Sequence, residues 1–391
     1  MKSKIKLLWR KNKIFMNGIF QNLKLFFRII VLVKWRLTKP NQSNILIYDD
    51  ESIEDLDFYL KNKKYEIFYN RYEQINLYVI LYTIFVNGIK NIKKNYKFNF
   101  FKMVSPKVVI TLIDENPGFF KLKNLYPQAK YISVQIAFKG KNFYSYIKSF
   151  KKKNKKFKFK SDISFVLGKN DRDKYKRYLD TKIITLGGIK NNNFPIKKKK
   201  FKKIKKILFI SGALPNNKDE KINSKGSRSV KIFKYLEKYC IANKIKLFLL
   251  SKYKGNTLPK YREYYGNGNW VFVPNVSTRN TYKIINDSQF VVFENSTLGY
   301  EAFSKNIKGV CFPKVFPHED YSKMSKKKEG FFWSTKISRK ILFSKISKVI
   351  RHNQKKWENI ISKEIRNILI YSPRNIIFSK TINKFIKNEI L

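Results

Sequence analysis

The stretch QFVVFENSTLGYEAFSKN (289–306) combines an apolar strand pattern, a short polar turn and a helix pattern. Asn295, Ser296 and Thr297 are all favourable helix N-cap residues, so a helix is predicted to begin directly after them. The first turn of a helix presents unpaired N–H groups and a partial positive charge, which suits a phosphate. Hydroxyl groups of Ser296 and Thr297 could join such a site, and Gly299 would let a bulky ligand approach closely.

Glu301 is the one acid of this predicted helix. It lies four residues after Thr297, which places both residues on the same helix face, one turn apart. A carboxylate there could accept hydrogen bonds from both hydroxyls of a ribose while a diphosphate lies at the helix start. The alternative is an ordinary capped strand–helix junction with Glu301 in solvent. The spacing alone leaves both interpretations open.

The composition is that of a globular protein with a large basic excess. The 391 residues carry a formal charge of +58, with 34 Phe and 24 Tyr, and only 13 of the 85 basic residues are Arg. Arginine recognises bases and phosphates better than lysine does, and it is not enriched here. The high lysine content is therefore interpreted mainly as a bias of overall composition, which gives the protein a modest attraction to anionic surfaces. A lysine-rich nucleic-acid-binding protein remains an alternative, but no nucleic-acid module is present and no specific nucleic acid is expected.

The N-terminal segment is basic and amphipathic. Residues 14–35 are strongly apolar but are interrupted by Lys24 and Arg28, so the uncharged run is too short to span a bilayer. The pattern suits a helix lying on an anionic membrane, and the alternative is a helix packed on the first domain. Cys240 and Cys311 are expected to be small buried apolar groups in a reducing compartment.

Apolar strand patterns alternate with helical patterns along most of the chain, which predicts an α/β fold with parallel sheets. The strand-to-loop transition PKVVITLIDENPGFF is the clearest example in the first half, and KILFISGALPNN restarts the pattern after a charged linker. The predicted organisation is a basic amphipathic segment (1–38), a first Rossmann-like domain (39–194), a basic linker (195–206), a second Rossmann-like domain (207–335) and C-terminal helices (336–391).

Several motifs resemble those of a known protein group. STLGYEA after an apolar strand, with KGVCFP after its helix, resembles the donor-nucleotide motif of bacterial surface-carbohydrate glycosyltransferases of the GT-B type. VITLIDENPGFFKLKNLYP followed by KYISVQ resembles, more specifically, proteins of O-antigen or surface-carbohydrate biosynthesis. The likeness extends to FVLGKNDRDKY, IITLGGIKNN and KILFIS, and it spans roughly residues 44–315. It implies two Rossmann-like domains that face a central cleft.

The resemblance also implies roles for individual residues. Ser296, Thr297 and Gly299 would hold the diphosphate of a nucleotide-sugar, Glu301 its ribose, and the loop containing Ser211 and Gly212 would face the same phosphates. These six residues form the predicted donor site.

On the acceptor side, the resemblance implies that Asp114 takes the proton of the attacking hydroxyl. The alternative is that Asp114 caps the loop through Asn116. The turn that reads Gln–Asn–Gly in that group is Gln135–Ile136–Ala137 here, which makes Gln135 a weak candidate and indicates altered or reduced activity.

Other candidates are weaker. Asn116 and His318 could contact substrate. Two D-x-D patterns, at 55–57 and 171–173, lie in charged helical stretches and are interpreted as solvated faces. No obligatory metal and no cofactor other than the nucleotide-sugar co-substrate is therefore predicted.

The predicted function is a glycosyltransferase of O-antigen or capsule biosynthesis. It would transfer a sugar from a nucleotide-sugar to a lipid-linked or polysaccharide acceptor. It is expected to be cytoplasmic and peripheral on the inner face of the cytoplasmic membrane. The alternatives within the same fold are a polyol-phosphate transferase and a sugar epimerase.

Overall fold

A computed structural model describes residues 33–71, 73–139, 141–196, 203–212, 214, 227–314 and 328–387. The predicted helix over residues 14–35 lies outside this part of the chain except for its last three residues. Its two alternatives, a membrane surface or the domain core, therefore stay predictions. Half of the linker predicted at 195–206 (residues 197–202) and all of the segment around His318 also lie outside the described residues.

The chain forms two compact units. One contains Met1–Ile113, Leu122–Tyr131 and Phe385–Ile390, and the other contains Asp114–Lys121 and Ile132–Lys384. All described candidate site residues belong to the second unit. The domain boundaries inferred from the sequence stay predictions.

A six-stranded sheet has the strand order β3-β2-β5-β6-β7-β8. Its strands are β2 (Ile45–Tyr48), β3 (Tyr65–Phe68), β5 (Val108–Thr111), β6 (Lys130–Val134), β7 (Lys160–Val166) and β8 (Asp180–Thr185), while β1 (Lys34–Arg36) and β4 (Gln74–Asn76) form a separate parallel pair. Every residue of β2 and of β5 is buried. Continuous burial of this kind is typical of parallel strands that are covered on both faces.

The helices of the first half follow its strands. They are α1 (Asp57–Leu60), α2 (Leu77–Asn87), α3 (Ile92–Val104), α4 (Phe119–Leu125), α5 (Lys141–Lys153), α6 (Lys169–Tyr178) and α7 (Ile189–Asn193). The start of α2 is set by Asn76, whose side chain accepts a hydrogen bond from the Val79 amide at 3.0 Å. This N-cap divides the apolar run 75–89 into the end of β4 and a helix.

The second sheet is five-stranded and its described pairs are all parallel, in the order β11-β10-β9-β12-β13. Its strands are β9 (Lys206–Ile210), β10 (Lys246–Lys254), β11 (Val271–Asn275), β12 (Val291–Phe293) and β13 (Gly309–Cys311), and its helices are α8 (Arg228–Ala242), α9 (Leu258–Tyr265), α10 (Thr278–Asn286) and α11 (Thr297–Ser304). The predicted α/β fold with parallel sheets is confirmed. Cys240 and Cys311 are free and buried, as expected.

Three further helices complete the described chain: α12 (Arg339–Arg351), α13 (Gln354–Glu364) and α14 (Ile376–Ile386). A network of asparagine side chains fixes the segment before α14. The Asn192 amide donates to the Leu186 carbonyl at 2.9 Å and to Asn375 at 2.7 Å, and Asn375 donates to the Ile189 carbonyl at 2.9 Å. All of these residues are in the second unit, so this network positions α7 next to the C-terminal segment.

Candidate functional site

The turn between β12 and α11 presents an accessible helix N-terminus. Ser296 is the N-cap, and α11 begins at Thr297. The Ser296 carbonyl accepts the amides of Gly299 and Tyr300 at 3.1 and 3.2 Å, but the Ser296 hydroxyl makes no capping hydrogen bond. Ser296 and Thr297 are half-buried and Asn295 is exposed. The helix tip therefore combines accessible backbone with a hydroxyl that the helix does not use.

The Glu301 carboxylate lies one turn further along α11 and is buried. Glu301 is 4% exposed, and its Oε2 accepts a hydrogen bond from the Tyr282 hydroxyl at 2.7 Å. A Cβ added to Gly188 would lie 2.4 Å from Oε1, so the second oxygen lies against the Gly188 backbone. A solvated Glu301 is excluded, and its role toward a ribose stays a prediction.

Gly299 lies against the ring of Phe293, the last residue of β12. An added Cβ would meet Cδ1 of that ring at 2.5 Å. Because a side chain at this position would push α11 away from β12, close packing accounts for the glycine. The approach of a ligand at Gly299 stays a prediction.

Ser211 and Gly212 follow β9 at the same sheet edge as the end of β12. The Ser211 hydroxyl donates to the Leu250 carbonyl at 2.8 Å and lies 2.8 Å from the Tyr261 hydroxyl. Within the described part of the chain, nothing lies within 4 Å of a Cβ added to Gly212. The Ser211 side chain is thus used within the sheet edge, while the backbone at Gly212 has room beside it; their donor roles stay predictions.

A cation lies at the end of β12. Arg228, the first residue of α8, donates through Nε to the Phe312 carbonyl at 2.8 Å and through Nη2 to the Thr335 carbonyl at 2.6 Å. Its Nε is 4.0 Å from the Glu294 carboxylate. Burial raises the pKa of Glu294, and the nearby Arg228 opposes that shift. Arg228 therefore holds the chain after β13 and supplies positive charge at this edge.

Asp114 lies in a buried ionic cluster. It is fully buried, its Oδ1 is 2.5 Å from the Lys139 ammonium, and the Tyr175 hydroxyl donates to its Oδ2. Burial raises the pKa of Asp114 and lowers that of Lys139, and the attraction between the two groups opposes both shifts. A general base must reach the proton that it abstracts. Because both oxygens of Asp114 have protein partners, its catalytic role stays a prediction.

The amide candidates of the first half are engaged in loops. Asn116 Oδ1 accepts the backbone amide two residues further on at 2.8 Å, a turn-forming contact. Gln135 is 1% exposed; its Nε2 donates to the Ala137 carbonyl at 3.0 Å, and its Oε1 accepts the Leu167 amide at 3.1 Å. Gln135 thus braces the turn that differs from the Gln–Asn–Gly pattern. Its contact with a substrate, and that of Asn116 and His318, stay predictions.

The interpretation of both D-x-D patterns as solvated faces is wrong for their first acids. Asp55 is 5% exposed and Asp171 is 1% exposed, whereas Asp57 and Asp173 are exposed. Both buried acids lie in the first turn of a helical segment. The N–H groups of a first turn favour a carboxylate, which offsets part of the cost of burial.

One acidic group within the described residues has the spacing of a metal site: Asp49, Asp50 and Glu73. Arg71 accounts for this clustering. Its guanidinium lies 2.6 Å from Asp49, 3.5 Å from Asp50 and 3.1 Å from Glu73. The absence of an obligatory metal stays a prediction.

Lys305 gives a prediction for the pH dependence of stability. It is 5% exposed, its Nζ donates to the Phe194 carbonyl at 2.7 Å, and burial lowers its pKa from 10.5 to about 8. Between these two pKa values the unfolded chain binds more protons at Lys305 than the folded protein does. The free energy of unfolding of the wild type should therefore rise with pH relative to that of Lys305→Met, by roughly 3 kcal/mol at most. Urea unfolding of both proteins from pH 7 to 11 measures the difference.

The matched control for Lys305 is Lys283→Met, since Lys283 is an exposed lysine of α10. This variant should parallel the wild type across the pH range. Parallel curves for Lys305→Met as well would contradict the assignment.

Sequence reasoning missed the residues that hold the candidates in place. Tyr282 contacts Glu301, Lys139 pairs with Asp114, and Gly188 leaves room for the Glu301 carboxylate. The pair of glycines that ends IITLGG was a usable signal, because two glycines after a strand indicate a close approach of backbone. Nothing distinguishes Lys139 among the many lysines of the chain.

Residues 132–386 match the model of a protein family described as "putative O-antigen biosynthesis protein". The match covers more than half of the chain. The chain belongs to this family. This membership confirms the resemblance to proteins of O-antigen biosynthesis that the sequence indicated. No curated protein matches the sequence.

Solved structures show the same fold. One is a "putative UDP-N-acetylglucosamine 2-epimerase from Listeria monocytogenes", with a TM-score of 0.54 and 10% identity over 89% of this chain and 98% of that chain. A second is the UDP-GlcNAc 2-epimerase of Neisseria meningitidis bound to UDP-GlcNAc, with a TM-score of 0.52 and 9% identity over 88% and 99%. A third is MnaA of S. aureus with UDP, with a TM-score of 0.50 and 13% identity over 89% and 98%. This member of the O-antigen biosynthesis family therefore has the fold with two Rossmann-like domains known as GT-B.

Proposed function

We propose that this protein is a glycosyltransferase that binds a nucleotide-sugar at the start of α11. The sugar would pass to a lipid-linked or polysaccharide acceptor of O-antigen or capsule biosynthesis. The observation that supports this most is the accessible tip of α11, which follows directly on the carboxyl end of β12. Ligands of parallel α/β sheets bind beyond the carboxyl ends of the strands.

The diphosphate of the donor would lie at this tip. The first backbone amides of α11 and the hydroxyls of Ser296 and Thr297 would donate hydrogen bonds to the phosphate oxygens. The loop at Gly212 has space beside it. Charge develops on the diphosphate as the bond to the sugar breaks. The helix N-terminus would stabilise that charge, and Arg228 adds a positive field at the same sheet edge.

The ribose would interact with Glu301. Tyr282 occupies Oε2 and so fixes the orientation of the carboxylate. The ribose hydroxyls would hydrogen-bond to Oε1, which lies against Gly188. Binding of a pentose there requires the Gly188 backbone to move away from Oε1. Asp114 as base, peripheral membrane association and the absence of an obligatory metal belong to the same proposal.

A pair of N-cap serines provides a matched test of donor binding. Ser296→Ala removes a hydroxyl that caps nothing, so stability should be unchanged while affinity for the nucleotide-sugar falls about tenfold, the loss of one hydrogen bond to a charged group. Ser277→Ala removes a hydroxyl that accepts the Asn280 amide at 3.1 Å, so stability should fall by about 1 kcal/mol while affinity is unchanged. Thermal shift against a panel of nucleotide-sugars identifies the donor first.

The results that would contradict donor binding are equally specific. They are a panel in which no nucleotide-sugar raises the melting temperature, or a Ser296→Ala variant that binds as tightly as the wild type. Product analysis then separates the same-fold alternatives. A transferase releases nucleoside diphosphate only with an acceptor, an epimerase converts the nucleotide-sugar alone, and a polyol-phosphate transferase requires a different donor.

A further inference from the structure

Helix α2 of the first unit exposes a large apolar surface. Its sequence is LYVILYTIFVN, and only Val79 and Thr83 are buried. Phe85 is 90% exposed, Leu81 58%, and Ile89 in the turn after the helix 74%. A groove beside the helix is lined by Leu37, Leu77, Tyr78, Leu81, Tyr82 and Phe85. Contiguous exposed apolar surface of this kind marks an interaction site in a water-soluble unit.

The charges of the chain segment that contains α2 have one sign. Between Gln74 and Ile113 the sequence contains six lysines, no arginine and no acid. Lys90, Lys93 and Lys94 directly follow the exposed end of α2 and are themselves exposed. The exposed end of α2 is apolar and is bordered by lysines. Such a surface is complementary to a lipid bilayer, which has an apolar interior and can have anionic headgroups.

We propose that the α2 face, defined as Leu37, Leu81, Phe85 and Ile89, docks on an anionic lipid bilayer. This inference does not depend on the proposed enzymatic function. None of the described helices has the length and hydropathy needed to cross a bilayer. With eleven residues, α2 is too short to span one, so it would lie at the interface with Phe85 and Ile89 among the acyl chains and the lysines at the headgroups.

The charge favours a bilayer over a second copy of the chain. A dimer through this face would bring together two chains of formal charge +58, and the segment from Gln74 to Ile113 offers no acid to pair with its lysines. The sequence of the N-terminal segment is also consistent with an anionic bilayer as the partner. Strand β1 pairs with β4, the strand that leads into α2, and residues 1–32, which precede β1 in the sequence, contain basic residues and no acid. The membrane contact predicted for that segment from its sequence would thus favour the same anionic bilayer.

A site-specific label tests the α2 face directly. Cys240 and Cys311 are buried, so a Phe85→Cys variant of the full chain can be labelled selectively with an environment-sensitive fluorophore such as nitrobenzoxadiazole. We expect a several-fold rise and a blue shift of its emission with vesicles of phosphatidylcholine and phosphatidylglycerol, and little change with phosphatidylcholine alone. Phe58→Cys is the control, because Phe58 is 72% exposed but flanked by Glu54 and Asp57; its emission should not change.

Vesicle co-sedimentation supplies the second measurement. Phe85→Ser with Ile89→Ser should weaken binding to the anionic vesicles about tenfold relative to the wild type, since two inserted side chains are lost. The control, Phe58→Ser with Ile241→Ser, removes the same residue types from exposed positions elsewhere and should bind as the wild type does.

Three results would overturn the proposal. An emission of the label at position 85 that is already blue-shifted without vesicles and does not respond to them would indicate that the chain's own N-terminal segment covers the face. An emission that depends on protein concentration without vesicles would indicate a second copy. Equal co-sedimentation of the two double variants would show that the α2 face takes no part in membrane binding.

Discussion

Lys139→Met is expected to lower the free energy of unfolding by about 3–5 kcal/mol, the cost of leaving one member of a buried ion pair without its partner. Lys139 is 3% exposed, and its ammonium lies 2.5 Å from the fully buried carboxylate of Asp114. Without Lys139, that carboxylate must either remain charged in a dry site or take up a proton. Urea unfolding at neutral pH measures the change, with Lys148→Met, an exposed lysine of α5, as the control.

A double variant separates a structural from a catalytic role of Asp114. Asp114→Asn with Lys139→Met removes both charges and keeps an acceptor for the Tyr175 hydroxyl, so it should recover most of the lost stability. If the recovered protein still transfers sugar, Asp114 is not the base. If it is folded and inactive, the predicted base is supported. A single Lys139→Met variant as stable as the wild type would contradict the buried pair itself.

Gly187→Ala is expected to cost roughly 2–4 kcal/mol of stability, because backbone strain and a backbone clash add at one position. Gly187 has a φ of +82°, and an added Cβ would lie 2.1 Å from the Ile370 carbonyl oxygen. The Ile370 backbone cannot easily move away from the added Cβ, because the Ile370 amide donates a hydrogen bond to the Leu167 carbonyl at 3.0 Å. The segment before α14 would have to detach from the ends of β7 and β8.

Gly255→Ala is the matched control for this variant. Gly255 has a φ of +88°, yet nothing lies within 4 Å of an added Cβ. Gly255→Ala therefore introduces the backbone strain of a positive φ without a steric clash. It should lower the free energy of unfolding by about 1 kcal/mol. Denaturant unfolding of both variants gives the difference, and equal costs would show that the contact with Ile370 contributes nothing.

The α/β architecture was predictable because each buried strand is a short apolar run followed by a turn and a periodic helix. KILFIS, QFVVFENS and PKVVIT all follow this pattern, and all three are strands. The start of α11 was predictable to within one residue, since N-cap chemistry is local: the sequence placed it directly after Thr297, and the helix begins at Thr297 with Ser296 as its N-cap.

The surroundings of the candidate site were not predictable, because they come from distant parts of the chain. Tyr282 lies 19 residues from Glu301 and Tyr175 lies 61 residues from Asp114, and neither spacing has a local signature. Burial of Asp114 and Asp171 was missed for the same reason. A charged residue in a polar stretch is usually exposed, and only tertiary partners make its burial tolerable.

Hydrogen exchange measured by mass spectrometry will show whether a nucleotide-sugar binds at the tip of α11. The full chain would be labelled with and without the nucleotide-sugar that gives the largest thermal shift. We predict that amide exchange slows in the peptide covering residues 294–301 and in the peptide that begins at Ser211, with no change around α9. Protection confined to other segments, or no protection by any nucleotide-sugar of the panel, would contradict the account.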